Sequence, residues 1–407
     1  MLFGNMSHEA TDKTGFVAES RRALSGFFVS GILVSFPGAI LPAWGHHVDS
    51  NFITIGYYFL SLNLGILAAV RAAHALLPLK GIRFVLSVGS AIACVAFLYL
   101  AAVGPPSPPI WRYFGLFLLG GSAGLLNASI FQAISAVYKR DPAATVNLSG
   151  ILLGLGCVTT ALLVSGTFYV YTVPSILILF ATIPGLFAIY CARGRFSPAP
   201  RTLELPIRDV LRDFRDPTAV LFSLLIFFQF GNEWSIAGWL SIFLIRQLGI
   251  SPATALILLA LYWTALLVGR IVAQVMLGRV RHMRLLAGSA LAALFGCLLL
   301  TYTPSKVGAV VATLLVGFGF ASIYPIVVER IGHRFTYYHP GFYNGIFSFA
   351  FTGGLLAPWT LGYFAEAWGI RAIMLVPTIG TCLVVILVLL ISFESKLGAP
   401  LHKRAGA

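Results

Sequence analysis

Charged residues are scarce in this sequence. Asp, Glu, Lys and Arg make up only 10% of its 407 residues, whereas 58% are apolar and the mean hydropathy is +0.91. A soluble domain has a charged fraction nearer one quarter, so this composition excludes a soluble globular protein. We therefore predict an integral membrane protein in contact with a lipid bilayer.

Acids and catalytic motifs are scarcer still. The chain has 13 Asp and Glu residues, with none between Asp49 and Asp141. The sequence contains no nucleotide-binding loop of the GxxxxGK[ST] type, no HExxH and no GxSxG. ATP-driven pumping and hydrolysis therefore have no support in the sequence, and we expect no enzymatic activity and no cofactor.

Cysteine is also rare and lacks paired spacing. None of the five cysteines belongs to a CxxC motif, and all lie within or at the ends of apolar stretches. We interpret them as packing residues and expect neither a disulfide framework nor a metal site.

Long apolar stretches recur along the whole chain. Each has the length that a helix needs to cross a hydrocarbon core of about 30 Å. The pattern predicts an all-α, polytopic fold with twelve transmembrane helices, at 23–47, 51–77, 83–103, 111–138, 145–168, 172–192, 218–246, 253–278, 285–303, 306–331, 342–367 and 371–392.

The basic residues orient this set of spans. If residue 1 is cytoplasmic, 22 of the 27 Lys and Arg residues fall on the inner side and four on the outer side (Arg112, Arg246, Lys306 and Arg371), while Arg270 is inside a span. This is the asymmetry of positive-inside topology. We therefore expect both termini in the cytoplasm, and a net charge of +14 that orients the protein without indicating a nucleic-acid partner.

The longest hydrophilic interval, 193–217, has six predicted spans on each side. An even number of spans per half lets the second half repeat the first with the same orientation. We predict a cytoplasmic tail at 1–22, six-helix bundles at 23–192 and 218–392 in two pseudo-symmetric halves, a cytoplasmic loop at 193–217 and a second tail at 393–407. Pro37 and Pro42 are expected to bend the first span.

Glu233 is the one acid in the middle of a predicted span. It lies about thirteen residues, or roughly 20 Å, from the outer end of the seventh span. Inserting an ionisable group at that depth costs on the order of 3 kcal/mol, so it normally faces protein or a water-filled cavity and has a partner. We expect it to share a helix face with Gln229 and Asn232, followed by Trp239.

Arg270 of the eighth span is at a comparable depth and is the expected partner. Two interpretations stay open: a fixed structural link between helices, or a site that binds the solute or a coupling ion. Further polar candidates at cavity depth are Asn63, Asn127, Gln132, Tyr262, Trp263, Ser322 and Tyr324. Amides and flat aromatic rings suit a neutral polyhydroxyl solute better than an anion.

Three stretches of the second half resemble the fucose permease group of the major facilitator superfamily: FQFGNEWSIAGWLSIFLIRQLGISPATA with LYWTALLVGR, ASIYPIVVERIG, and NGIFSFAFTGGLLAPWTLGYFAEAWGI. The motif positions are Glu233, Gly238, Trp239, Gly269, Arg270, Tyr324 and Pro325. The resemblance implies alternating access around a central site lined by the first, fourth, seventh and tenth helices, often with proton-coupled sugar uptake.

Two departures limit what the resemblance implies. Fucose permease uses acids in its first and fourth helices, whereas the first span here has no acid and the fourth has Asn127. The Asp-Arg signature between the second and third helices is reduced to LLPLKGIRF, which has no Asp.

We therefore predict a secondary transporter for a small neutral polar solute, a sugar above all, in a plasma membrane (the inner membrane of a bacterium). Glu233 is the candidate coupling site for a proton or sodium, and Gln229, Asn232, Trp239, Asn127, Asn63, Trp263 and Tyr324 are the candidate solute-binding residues. A monomer is expected. The alternatives are a sugar uniporter, an exporter of amphipathic compounds or lipids, and a receptor or scaffold that does not transport.

Overall fold

The computed structural model describes residues 3–47, 51–135, 142–196, 217–277, 279–334 and 340–402. Within these ranges every regular element is an α-helix. The twelve helices are α1 (Phe3–His47), α2 (Phe52–Ala102), α3 (Pro109–Ala133), α4 (Pro142–Thr167), α5 (Val173–Ala192), α6 (Pro217–Leu248), α7 (Pro252–Leu277), α8 (His282–Tyr302), α9 (Lys306–Ala321), α10 (Ile323–Arg334), α11 (Pro340–Trp368) and α12 (Ala372–His402).

The predicted all-α, polytopic membrane fold is confirmed. Ten helical segments among the described residues are long and apolar enough to cross a bilayer, with 306–331 counted as one segment. The longest, α2, has 51 residues, which corresponds to roughly 75 Å of helix, or more than two hydrocarbon thicknesses. It therefore contains both the second and the third predicted span.

Gly81 separates those two spans. Its φ of 78° and ψ of 168° are non-helical, and a positive φ of this kind is open to glycine because it has no Cβ. The boundary between the predicted spans 51–77 and 83–103 is therefore a kink at a single residue of α2.

The tenth predicted span, 306–331, is broken in two. α9 ends at Ala321 and α10 begins at Ile323, with Ser322 between them at φ −95° and ψ −14°. Pro325 has no N–H to donate to the carbonyl of Ala321, four residues earlier. The Ser322 hydroxyl at the break donates to Oγ of Ser289 on α8, at 2.5 Å.

Helix also continues into the segments predicted as tails. α1 begins at Phe3 and α12 ends at His402. Most of the predicted central loop, residues 197–216, lies outside the described residues.

The contacts divide the chain into two compact units. The first consists of Met1–Phe36, His46–Val48 and Ser61–Thr202, and the second of Pro37–Gly45, Asp49–Leu60 and Leu203–Ala407. In the second unit α6 packs on α7, α11 and α12, while α8 packs on α9 and α12. α6 is thus a central helix of that unit.

The segment Pro37–Gly45 of α1 packs on α6 through its backbone. Pro42 lacks the N–H that would bond to the carbonyl of Gly38, and the Ser241 hydroxyl donates to that carbonyl at 2.8 Å. A Cβ on Gly38 would collide with the carbonyl oxygen of Ala237. Glycine at residue 38 and serine at residue 241 therefore allow the two helices to approach closely.

We predict that Ser241→Ala destabilises the protein by about 1–3 kcal/mol, because the Gly38 carbonyl then has neither its own helical donor nor the hydroxyl. Thermal unfolding of the purified protein in detergent measures the loss. Ser223→Ala is the matched control, since Ser223 is equally buried on α6 and donates to Ala219 of its own helix. Equal losses in the two variants would contradict the special role of Ser241.

Candidate functional site

Glu233 and Arg270 form an ion pair between α6 and α7. Nη2 of Arg270 lies 3.5 Å from Oε1 of Glu233, and the two side chains are 13% and 6% exposed. A carboxylate removed from water to this extent requires a counter-charge. The structure thus brings together the acid and the base that the sequence analysis paired.

Gln229, one turn earlier on α6, approaches the other carboxylate oxygen. Its Nε2 lies 3.5 Å from Oε2 of Glu233 and 3.5 Å from the carbonyl oxygen of Phe320 on α9. Both distances are at the long limit of a hydrogen bond. The amide oxygen Oε1 of Gln229 is buried and has no hydrogen-bond partner among the described residues.

α7 contacts residue 233 at its backbone as well. The Tyr262 hydroxyl, which is fully buried, donates to the main-chain carbonyl of Glu233 at 3.1 Å. On a helix the side chain points towards the N-terminus and the carbonyl towards the C-terminus. The side chain of Glu233, which contacts Arg270, and its carbonyl, which contacts Tyr262, therefore lie at opposite ends of the residue along α6. Tyr262 and Arg270, two turns apart on the antiparallel α7, therefore hold Glu233 from opposite ends.

Asn232 and Glu233 point to different neighbouring helices, which corrects the single polar face expected for Gln229, Asn232 and Glu233. Its Nδ2 donates to Oγ1 of Thr381 on α12 at 3.3 Å. Consecutive residues of an α-helix differ in direction by about 100°, since a turn has 3.6 residues. Asn232 consequently joins α6 to α12, while its neighbour Glu233 joins α6 to α7.

Trp239 lies away from the ion pair. Its Nε1 donates to the carbonyl of Pro358 on α11 at 2.8 Å, and its ring packs against Phe52 and Phe59 of α2. The side chain is fully buried. In this structure its hydrogen bond and its ring surface are both used for packing.

Two aromatic residues of α6, Phe230 and Trp234, are one turn apart and next in sequence to Gln229 and Glu233, and each contacts rings of other helices. Trp234, the residue after Glu233, makes an edge contact with Trp263 at 5.8 Å, and Phe230 contacts Tyr324 at 5.2 Å and Phe351 at 5.3 Å. Trp263 is buried, whereas the other four are partly or fully exposed. We call Phe230, Trp234, Trp263, Tyr324 and Phe351 the aromatic patch.

Trp263 and Tyr324 of this patch were candidates from sequence, but Phe230, Trp234 and Phe351 were missed. The signal was their position: Phe230 and Trp234 are four residues apart and adjacent in sequence to Gln229 and Glu233. A residue next to a buried polar group lies on a neighbouring face of the helix and can line the same site.

The two candidates of the first unit have separate surroundings. Asn127 of α3 accepts a hydrogen bond from the Ser30 hydroxyl of α1 at 2.9 Å through Oδ1. Asn63 of α2 is buried.

Arg112, expected on the outer side, is 1% exposed, and its Nη1 donates to the carbonyl of Ser107 at 2.8 Å. It is a buried base that the charge count did not reveal.

The family model of the Major Facilitator Superfamily matches residues 23–358 and 222–406. The chain belongs to this superfamily.

Individual relatives agree with membership of the superfamily. An uncharacterised MFS-type transporter of Yersinia pestis is 21% identical over 347 residues, which cover 84% of this chain and 87% of the relative. The crystal structure of the nucleoside transporter NupG has a TM-score of 0.71 at 13% identity and covers 94% of this chain and 99% of NupG. The outward conformation of FucP gives 0.62 at 16% identity, covering 93% and 99%.

These findings confirm the major facilitator fold and the resemblance to the fucose permease group, since FucP is the fucose:proton symporter of E. coli. The chain is a multi-pass membrane transporter of the superfamily and not an enzyme. Structural likeness at 13–16% identity concerns the fold, so the solute must be inferred from the site.

We predict that Arg270→Gln alone costs about 3 kcal/mol of stability, because it leaves the Glu233 carboxylate buried without a counter-charge. The double variant with Glu233→Gln should recover most of that loss, since two amides can share the space without a net charge. Denaturation of the purified variants at neutral pH measures both. If the double variant were as unstable as Arg270→Gln, the pair would not be coupled.

Proposed function

We propose that the protein is a secondary active transporter of a small neutral polar solute, a sugar, that works by alternating access with Glu233 as the coupling site. The observation that carries the proposal is the buried Glu233–Arg270 pair with long polar contacts, on a central helix of the second unit. If the pair only stabilised the fold, we would expect shorter distances between the nitrogen and oxygen atoms. Only then does the attraction between the two charges offset the cost of removing both from water.

Charge balance in this region favours a neutral solute. Arg270 is neutralised by Glu233, so the pair offers no net positive charge to a phosphate or carboxylate. An anion would need an additional buried base beside the pair. We separately propose Asn63 and Asn127 of the first unit as solute-binding residues, because amides donate to and accept from hydroxyl groups without introducing charge.

The aromatic patch favours a sugar among neutral solutes. Sugar rings have faces of C–H groups that stack on flat aromatic side chains, and Trp234 and Tyr324 are partly exposed. Two structural neighbours are named as a fucose:proton symporter and a nucleoside transporter, and a nucleoside contains a sugar ring. This supports the same solute class without identifying the compound.

Coupling follows from the electrostatics of the pair. A cation or proton bound at Glu233 cancels the charge that holds Arg270, and Arg270 then needs another partner. Because Arg270 and Glu233 are on different helices, ion binding changes the contact between α6 and α7. A bound ion can thus alter the relative stability of two conformations.

Further proposals concern location and assembly. We propose that the transporter resides in a plasma membrane with both termini in the cytoplasm, because 22 of its 27 basic residues then lie inside. We also propose that the transporting unit is a monomer.

The coupling proposal predicts that Glu233→Gln abolishes accumulation driven by a proton or sodium gradient while leaving exchange across the membrane, since the solute site remains. Uptake of external labelled L-fucose, D-galactose or uridine under an imposed ion gradient measures accumulation in proteoliposomes, and the same uptake into proteoliposomes preloaded with the unlabelled compound measures exchange. Glu366→Gln is the control, because Glu366 is an exposed acid of the second unit. Gradient-driven accumulation by Glu233→Gln would contradict the assignment, and wild-type exchange with no response to either gradient would indicate uniport.

The aromatic patch predicts that Trp234→Ala weakens sugar binding about fivefold, the equivalent of roughly 1 kcal/mol of lost stacking. Thermal-shift titration with the same three compounds measures the apparent affinity, because a ligand stabilises the state that it binds. Trp111→Ala is the control, since Trp111 is 52% exposed on α3 in the first unit. Unchanged affinity in Trp234→Ala would remove the patch from the solute site.

A further inference from the structure

We propose that the coupling ion is sodium and that its site is built from three oxygens: Oε2 of Glu233, Oε1 of Gln229 and the main-chain carbonyl of Phe320. The proposal rests on the proposed function and names the ion for the same site. It is carried by the spacing of these groups, by the orphaned amide oxygen of Gln229 and by the break between α9 and α10.

The spacing matches the coordination shell of a sodium-sized cation. Nε2 of Gln229, which occupies the position proposed for the ligand oxygen Oε1, is 3.5 Å from Oε2 of Glu233 and 3.5 Å from the carbonyl oxygen of Phe320. Oxygens at right angles around a hard cation about 2.4 Å from each are roughly 3.4 Å apart. The larger potassium ion needs oxygens at a wider spacing.

Gln229 can present either end of its amide to the site. In the structure Nε2 faces the two oxygens, and Oε1 is buried with no hydrogen-bond partner among the described residues. A half-turn of the terminal amide exchanges the two atoms. With Oε1 turned towards the site, three oxygens surround a bound cation. Without the cation, the Nε2–H group of Gln229 faces Oε2 of Glu233 and the Phe320 carbonyl instead.

The third oxygen comes from the end of a broken helix. Phe320 is in the last turn of α9, which ends at Ala321 before Ser322 interrupts the helix. The C-terminal carbonyls of a helix carry its partial negative charge and attract cations. Discontinuous transmembrane helices of transporters use such ends to coordinate ions.

The charges favour a monovalent ion. Arg270 contacts Oε1 of Glu233, while the proposed ligand is Oε2, so one carboxylate serves two cations. A divalent ion beside the guanidinium would leave a large buried excess of positive charge. Sodium and Arg270 then share one negative charge, so sodium binding weakens the attraction between Glu233 and Arg270 that joins α6 to α7.

Sodium alone is the probe in the test. The melting temperature of the purified protein is measured at constant pH and ionic strength while choline chloride is replaced by NaCl or by KCl. We expect sodium at ten times its Kd to raise the melting temperature by about 2 °C, with no comparable shift for potassium. Glu233→Gln and Gln229→Leu should abolish the sodium shift.

Two further variants test whether the shift arises at this site. Asn232→Leu removes an amide that faces Thr381 on α12, so it should keep the sodium shift whatever its own stability. Arg270→Gln removes the guanidinium that neutralises Glu233, so sodium should raise the melting temperature of this variant more than that of the wild type. A sodium shift that survives in both Glu233→Gln and Gln229→Leu would overturn the site.

The outcomes separate the ion from the transport function. If sodium gives no more shift than choline while a pH gradient drives Glu233-dependent accumulation, the sodium proposal fails and the transport proposal stands. If the sodium shift depends on Glu233 and Gln229 but none of the solutes tested moves, the ion site stands and the solute class fails.

Discussion

The placement of one carboxylate away from water constrains much of the second unit. Glu233 needs positive charge and hydrogen bonds within reach, and α6 alone cannot supply the charge. α7 provides Arg270 for the side chain and Tyr262 for the backbone, while α9 brings the Phe320 carbonyl close to Gln229. Glu233 thus contacts α7 directly and α9 through Gln229, and a change in its charge alters the contact between α6 and α7.

Sequence predicted the features that depend on composition and spacing. Apolar length indicated the helices, and the scarcity of acids singled out Glu233 and led to Arg270 as its partner. Similar depth on neighbouring spans was enough for that pairing, because long charged side chains reach across an interhelical gap of 8–10 Å.

Features that depend on helix rotation and on the backbone were not predictable in the same way. Asn232 faces α12 because a helix turns about 100° per residue, and hydropathy does not say which neighbour packs on which face. The Phe320 carbonyl has no side-chain signature at all. The break at Ser322 has a sequence cause in Pro325, but proline is also tolerated within membrane helices, so its presence alone did not predict a break.

The fold of this chain matches solved structures with which it shares little sequence. The chain keeps the architecture of NupG and FucP at 13–16% identity, yet its first span has no acid and its fourth has Asn127. An architecture can be retained while chemistry moves between helices, because packing depends on shape and a charged site depends on a few residues.

The proline at residue 42 has a consequence for how α1 can rearrange. A regular helix must break its own hydrogen bond before a carbonyl can accept from elsewhere. At Gly38 that bond never exists, so replacing the Ser241 hydroxyl by water or another donor costs only one side-chain contact. The Gly38 carbonyl can therefore change its donor without the loss of a helical hydrogen bond, so α1 and α6 can shift past each other at this turn while both helices stay intact.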